Sequence, residues 1–179
     1  MSTYLRNITN HEVVDIVETA ISRMDLTDTA YEEKTFNFFH GQPLDVKKEH
    51  NVKQSQFPVI ILFEPLNTVV NLSDSSLDYK TTTITLYIMD ILPKFRGNQT
   101  ELAYTEVINN LGLIVIRLID SFNNEYNTLV RDIETVNETN WTQWSVGAAP
   151  IGSSTQTVLF ENLCGKEISF DLITKKNNC

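Results

Sequence analysis

The chain has 179 residues, 41% of them hydrophobic and 21% charged, with a formal net charge of −9. That length supports one sizeable core and not two ordinary domains, so residues 1–179 read as a single domain, and the charge argues against wrapping DNA or RNA, which needs clustered Lys and Arg. No uninterrupted run of about 18 or more apolar residues exists to span a membrane, and the polar start MSTYLRNITN has neither the basic nor the apolar region of a secretory signal, so the chain is expected to stay inside the cell that makes it.

The first expected element is a helix over about residues 10–24. Thr9 is placed to cap it and Glu12 to answer three residues on, while Val13, Val14, Ile16, Val17, Ala20, Ile21 and Met24 recur at three- and four-residue steps. Those residues form the core face. Residues 25–56 are polar and irregular except for Lys34-Thr35-Phe36-Asn37-Phe38-Phe39, which alternates partly and predicts a short strand. The rest of the excursion carries Lys47, Lys48, His50 and Lys53, a basic cluster in an acidic chain. A solvated loop accounts for such a cluster, and so does a contact to an acidic neighbour.

The run Phe57-Pro58-Val59-Ile60-Ile61-Leu62-Phe63 predicts a central strand buried on both faces, with Pro58 confined to its start. Residues 79–92 predict the longest strand: Ile84, Leu86 and Ile88 point one way, and Thr83, Thr85, Tyr87 and Met89 the other. A Thr-rich second face suits a lumen or pairing with another sheet. After a turn at 93–97, Asn98 and Glu101 mark a second capping signature, opening a helix over about 99–122. At ~100° per residue, Tyr104, Val107, Ile108, Leu111, Ile114, Val115, Leu118, Ile119 and Phe122 form one broad stripe. Leu102, Leu113 and Ile116 fall on the opposite side, among Glu106, Asn109, Arg117 and Asp120. Burying each aliphatic side chain is worth ~1.5 to 3 kcal/mol, so these three call for a cover, supplied by the protein's own loops or by a neighbouring copy.

The remainder predicts β structure: strands at 127–136 and 141–146, a loop at 147–154, and two strands at 155–163 and 167–173 joined by a hairpin turn at Cys164-Gly165-Lys166. A helix, strands, a long helix and further strands give an α+β fold, with a mixed or antiparallel sheet covered on one face by two helices.

No catalytic constellation emerges. His11, His40 and His50 lack metal-ligand spacing, and no HExxH, nucleophile elbow, P-loop or GxGxxG appears. Cys164 and Cys179 allow at most one disulfide, and a cysteine beside a turn reads as structural. Trp141 and Trp144 are candidate contact aromatics, for a sugar, a base, a sheet edge or another subunit. No catalytic residue, metal or cofactor is expected, and the function leans towards assembly.

The order of elements resembles that of the tail terminator, tail-completion and neck ring proteins of tailed bacteriophages. The features that carry the likeness are the amphipathic helix ETAISRM, the strands FPVIILF and TTITLYIMDIL, the long helix ELAYTEVINNLGLIVIRLIDSF and the closing β segments. The Asn-rich, polar-loop style also resembles ring proteins of short-tailed crAss-like phages. The excursion at 25–56 and the β-rich part after 123 are longer than a minimal terminator needs. The resemblance implies a tail-terminator-like fold and a non-enzymatic virion subunit in the neck or tail, assembled in the host cytoplasm into a homo-oligomeric ring, a hexamer or dodecamer. It implies that Leu102, Leu113 and Ile116 pack neighbouring subunits and that the loop at Lys47, Lys48, His50 and Lys53 reaches a portal, adaptor or tail-tube ring. DNA would pass an acidic lumen without specific binding. The competing class is a monomeric soluble binding or adaptor module that uses Trp141 and Trp144.

Overall fold

A computed structural model describes residues 11–41, 57–63, 66–71, 79–92, 99–124, 129–142 and 163–175. Helix α1 spans His11–Ser22; strands β1 Asn37–Gly41, β2 Val59–Phe63, β3 Asn67–Asn71 and β4 Tyr79–Ile91 follow. The long helix α2 consists of an α-helical turn Gln99–Leu102, a π-helical segment Ala103–Ile108 and an α-helical part Asn109–Asn123. Strands β5 Asn137–Trp141 and β6 Leu163–Lys175 close the fold.

The strands form one six-stranded mixed sheet in the order β1-β2-β4-β6-β5, with β3 also on β4. Only β1 and β2 run parallel; the other pairings are antiparallel. β4 is long enough to hold two partners along one side, β2 on Leu86–Met89 and β3 on Tyr79–Thr83, while its other side pairs with β6 from end to end.

Strand alternation sorts the side chains. Ile60, Leu62, Ile84, Leu86, Ile88, Ile168, Phe170 and Leu172 face the two helices and join Val17, Ala20, Leu111, Ile114 and Leu118 in the main core. The α+β class with helices over one sheet face is thus the observed one. On the opposite face, Phe39, Val59, Ile61, Met89 and Leu163 form a second, smaller buried cluster, which explains why β2 reads as uninterrupted apolar sequence. Phe57, Phe63, Tyr87 and Ile91 flank that cluster, and further along the same face Thr83 donates to Asp171 across 2.7 Å and Thr85 to Ser169 across 3.3 Å.

The helices are also tied by a polar contact. The last carbonyls of a helix have no partner within it, and Ser121 Oγ of α2 donates to the Ala20 carbonyl near the end of α1 at 2.7 Å. At the end of α2, the Asn123 amide clamps the backbone of Ile133, accepting from its N–H at 2.7 Å and donating to its carbonyl at 3.3 Å. No described helix is long and apolar enough to cross a membrane.

Several expectations change. The short strand sits at Asn37–Gly41 and not at Lys34–Phe39, because Tyr31 to Lys34 form a turn, closed by a 2.9 Å hydrogen bond, whose Tyr31 ring packs on Phe36. β3 is an element the sequence pattern did not announce. Of the strand expected at 127–136, the described residues 129–136 hold a single bridge, Leu129 to Thr174, within an irregular stretch in which Leu129 and Ile133 are buried; the regular strand lies at Asn137–Trp141.

The largest correction concerns Cys164-Gly165-Lys166. These residues are no hairpin turn but the interior of β6, paired with Asp90, Met89 and Ile88. Gly165 is there because the neighbouring strand leaves no room for a side chain: a Cβ would collide with the Ile88 carbonyl oxygen and lie 2.9 Å from Met89 Cα. The residues expected to form the preceding strand, 155–162, lie outside those described, as do Thr9 and Asn98, the residues expected to cap the two helices.

Candidate functional site

The outward side of α2 carries the features that a neighbour would meet. Leu113 is 38% exposed and Ile116 58%, three residues apart and so one above the other. Leu102 does not join them. It is half-buried and packs against the main core, while Tyr104, expected inside, is 39% exposed. The cause is the π-helical segment, which absorbs an extra residue and rotates everything before it. Leu102 therefore does not belong with the outward pair, and Tyr104 is the side chain that the π-helical segment leaves exposed in its place.

One turn beyond Ile116 the surface becomes charged. Arg23, Asp25, Arg117, Asp120, Ser121, Asn123 and Asn124 line a shallow recess of about 320 Å³ where the ends of α1 and α2 meet. Hydrogen bonds from the Thr27 hydroxyl and amide hold the Asp25 carboxyl below its usual range, and the Arg117 charge acts in the same direction. Arg117 Nε is buried and without a hydrogen-bond partner among the described residues. Two guanidinium groups and two carboxylates leave the recess formally neutral, a polar rim beside an apolar pair. Sequence reasoning placed Arg117 and Asp120 on this side but could not foresee Arg23, which the packing of α1 on α2 brings in.

At the other end of the sheet, β5 pairs with β6 and every one of its residues is exposed. Trp141 is 36% exposed, and its indole N–H donates to Glu167 at 3.0 Å, so the polar handle of the ring is occupied within the chain. Beneath β5, the buried Lys166 ammonium donates to Glu138 and, at 2.9 Å, to Asn140. That arrangement pins the strand from its inner face, and a buried charge is tolerated because it is paired. Val69 and Val70 of β3 are exposed too, at 62% and 44%.

A second buried polar group lies between β4 and the turn before β1. Asp90 accepts from Lys34 Nζ at 3.4 Å and from the Ile91 amide at 2.8 Å, and the Lys34 ammonium stands 4.8 Å from the centre of the Tyr31 ring. Burial, then the Asp90 charge, raises the Tyr31 hydroxyl far above its ordinary value. The same two causes push the Cys164 thiol up to about 12, and its Sγ sits 3.9 Å from the Asp90 carbonyl. A thiol held protonated is a poor nucleophile at neutral pH.

Among the described residues no group of three or more His, Cys, Asp or Glu is placed to hold a metal ion. The basic residues Lys47, Lys48, His50 and Lys53, together with Trp144, lie outside the described residues. No protein-family model matches this sequence, and no curated protein matches it either.

Proposed function

We propose that the chain is a virion structural protein, a subunit of a ring at the head–tail junction or at the end of the tail tube of a tailed bacteriophage, where it helps join head to tail and lets DNA pass. The observation that carries this reading is the outward aliphatic pair Leu113 and Ile116 on the long helix that covers the sheet. Exposed apolar side chains rimmed by charges suit a subunit seam, and Arg117 and Asp120 supply such a rim. The element order likened above to terminator and neck proteins supports the same reading, as does a net charge of −9, which keeps a lumen from holding DNA tightly. In such a ring Lys47, Lys48, His50 and Lys53 would meet an acidic neighbour.

The test is the mass of the purified protein by light scattering on a sizing column, across a range of concentrations, for the unaltered chain and for the double variant Leu113→Asp, Ile116→Asp. The expected result is a closed species, a hexamer or dodecamer, that falls to monomer in the variant. A strict monomer at every concentration, or a ring untouched by the two aspartates, overturns the seam.

A further inference from the structure

From Asn109 to Asn123 the helix α2 keeps one α-helical phase, so its outward side can be counted without interruption. At ~100° per residue, Asn109, Leu113, Ile116 and Asp120 fall within ~60° of one another, and all four are exposed. Their spacing is four, three and four residues. The strip is therefore symmetric along the helix about a midpoint between Ile114 and Val115: Leu113 and Ile116 lie equally far from it on either side, and so do Asn109 and Asp120. Apolar residues hold the centre and polar residues the ends.

A strip with that symmetry is complementary to itself. In a second copy of α2 laid antiparallel on the first, with a two-fold axis passing the midpoint, Leu113 of each chain meets Ile116 of the other. Asn109 of each chain likewise meets Asp120 of the other. Neither of those two polar side chains makes a hydrogen bond or ion pair among the described residues, so each copy brings an unused amide donor and an unused carboxylate. An N–H donated to a carboxylate is charge-assisted and stronger than a neutral pair. Turned parallel, the same strips would set Asp120 against Asp120, two like charges that repel. The charge pattern thus selects the antiparallel arrangement. It also takes out of water four aliphatic side chains, which in the single chain are 38% exposed at Leu113 and 58% at Ile116.

We propose that the strip Asn109, Leu113, Ile116 and Asp120 docks on the same strip of a second copy of this chain, as an antiparallel pair of α2 helices related by a two-fold axis. The proposal rests on the reading of Leu113 and Ile116 as a contact between copies, and it goes further by fixing that contact as isologous, like surface on like surface. A ring that contains it is built from such pairs and has dihedral symmetry.

The experiment is disulfide trapping of the full chain in a Cys179→Ala background, with one cysteine added at a time. Ile116→Cys and Leu113→Cys probe the strip, each leaving the other aliphatic residue in place, and Val69→Cys is a control elsewhere on the exposed surface. In the two-fold pair the two copies of residue 116 lie ~4.5 Å apart along the helix axis, at ~1.5 Å per residue, within reach of a disulfide. In a head-to-tail contact residue 116 meets a different surface of its neighbour, and the two copies of it never meet. The linked peptide, identified by mass spectrometry, should form about tenfold faster at 116 or 113 than at 69 for the same protein concentration, because a docked pair raises the local thiol concentration. Asn109→Lys, which sets an ammonium opposite each Asp120, should speed the trapping, and Asn109→Asp should slow it. A 116-to-116 bond in a protein that grows no larger than a dimer upholds the pair and removes the ring. A ring by mass whose strip cysteines link no faster than the control keeps the ring, with a head-to-tail seam, and overturns the two-fold pair. Trapping that ignores both changes at Asn109 overturns it as well, and a monomer whose cysteines all link at the control rate removes pair and ring together.

Discussion

Replacing Gly165 by alanine adds one methyl group at the centre of the sheet, and the position of that methyl is fixed by the pairing of β6 with β4. It would overlap the Ile88 carbonyl oxygen and lie 2.8 Å from Met89 Sδ and 2.9 Å from Met89 Cα. The sulfur is the end of a flexible side chain and can turn away, but the oxygen and the Cα are backbone of a strand held by β2 on one side and β6 on the other. Relief requires moving one strand of the central ladder. Overpacking of a tight interior costs ~1 to 3 kcal/mol, and with two backbone atoms in the way the upper end, about 3 kcal/mol, is expected. For a protein of this size that is a fall of ~6 to 12 °C in Tm, at ~2 to 4 °C per kcal/mol. Urea denaturation followed by far-UV circular dichroism, at one fixed protein concentration, measures the loss. If Cys164-Gly165-Lys166 were a solvated turn instead, the substitution would be nearly silent. A loss below about 0.5 kcal/mol with an unchanged denaturant slope would therefore refute the continuous strand, since surface substitutions fall within that range.

Gly112 should answer in the opposite direction: its Cβ would meet only Lys166 Cε, at 3.9 Å, an ordinary contact inside an α-helix, so Gly112→Ala should raise stability by ~0.5 to 1 kcal/mol in the same titration, and a loss would show α2 packed more closely on β6 than described. Ser121→Ala removes the donor to the Ala20 carbonyl and should cost ~1 to 3 kcal/mol; no change would mean water replaces the hydroxyl. Cys164 should resist a soluble thiol reagent at pH 8 until the protein unfolds, which mass spectrometry of the labelled chain would detect, and native labelling would contradict its burial. Its raised pKa also sets a sign: the unfolded thiol ionises near its ordinary 9.0 and the folded one at about 12. That contribution is complete below the unfolded value and is lost as pH rises through the folded one. The unaltered protein should thus lose stability between those values faster than Cys164→Ala, and parallel curves would refute the assignment.

Where the apolar pattern is strong and regular, the sequence announced the structure. α1 was expected over 10–24 and runs His11–Ser22, and β4 was expected over 79–92 and runs Tyr79–Ile91 with its two faces as assigned. Each of these segments has enough periodic residues to outvote local noise. β3 failed that test: Asn67-Thr68-Val69-Val70-Asn71 has two apolar residues between asparagines, and its strand character comes from a partner, Tyr79–Thr83, that local reading does not weigh. Gly165 misled for the opposite reason. Glycine between a cysteine and a lysine is the usual mark of a turn, and only the distance to the neighbouring backbone shows it to be a packing requirement. Of the candidate seam, Leu113 and Ile116 were legible because the α period holds from Asn109 onward; Leu102 was not, because one π segment breaks the count between them. The recess at Arg23 and Arg117 was invisible in one dimension, since it exists only where two helices end together.

The place of β6 in the sheet has a bearing on how the molecule is made. It is the last described strand in sequence, yet it lies between β4 and β5, and the pairs that bind it to β4 join residues 72 (Ile91 with Leu163) to 96 (Tyr79 with Lys175) positions apart. Ile168, Phe170 and Leu172 complete the main core from that strand. During synthesis, β4 must therefore wait with one whole side unpaired while the second helix and all of the following stretch emerge, and only then can the sheet close. Long-range pairings of this kind fold slowly, because loop closure precedes the contacts that reward it. Nascent chains stalled short of residue 163 should expose the β4 ladder as a sticky, chaperone-dependent edge, and release of the final strand should be the event that converts them to a protease-resistant fold.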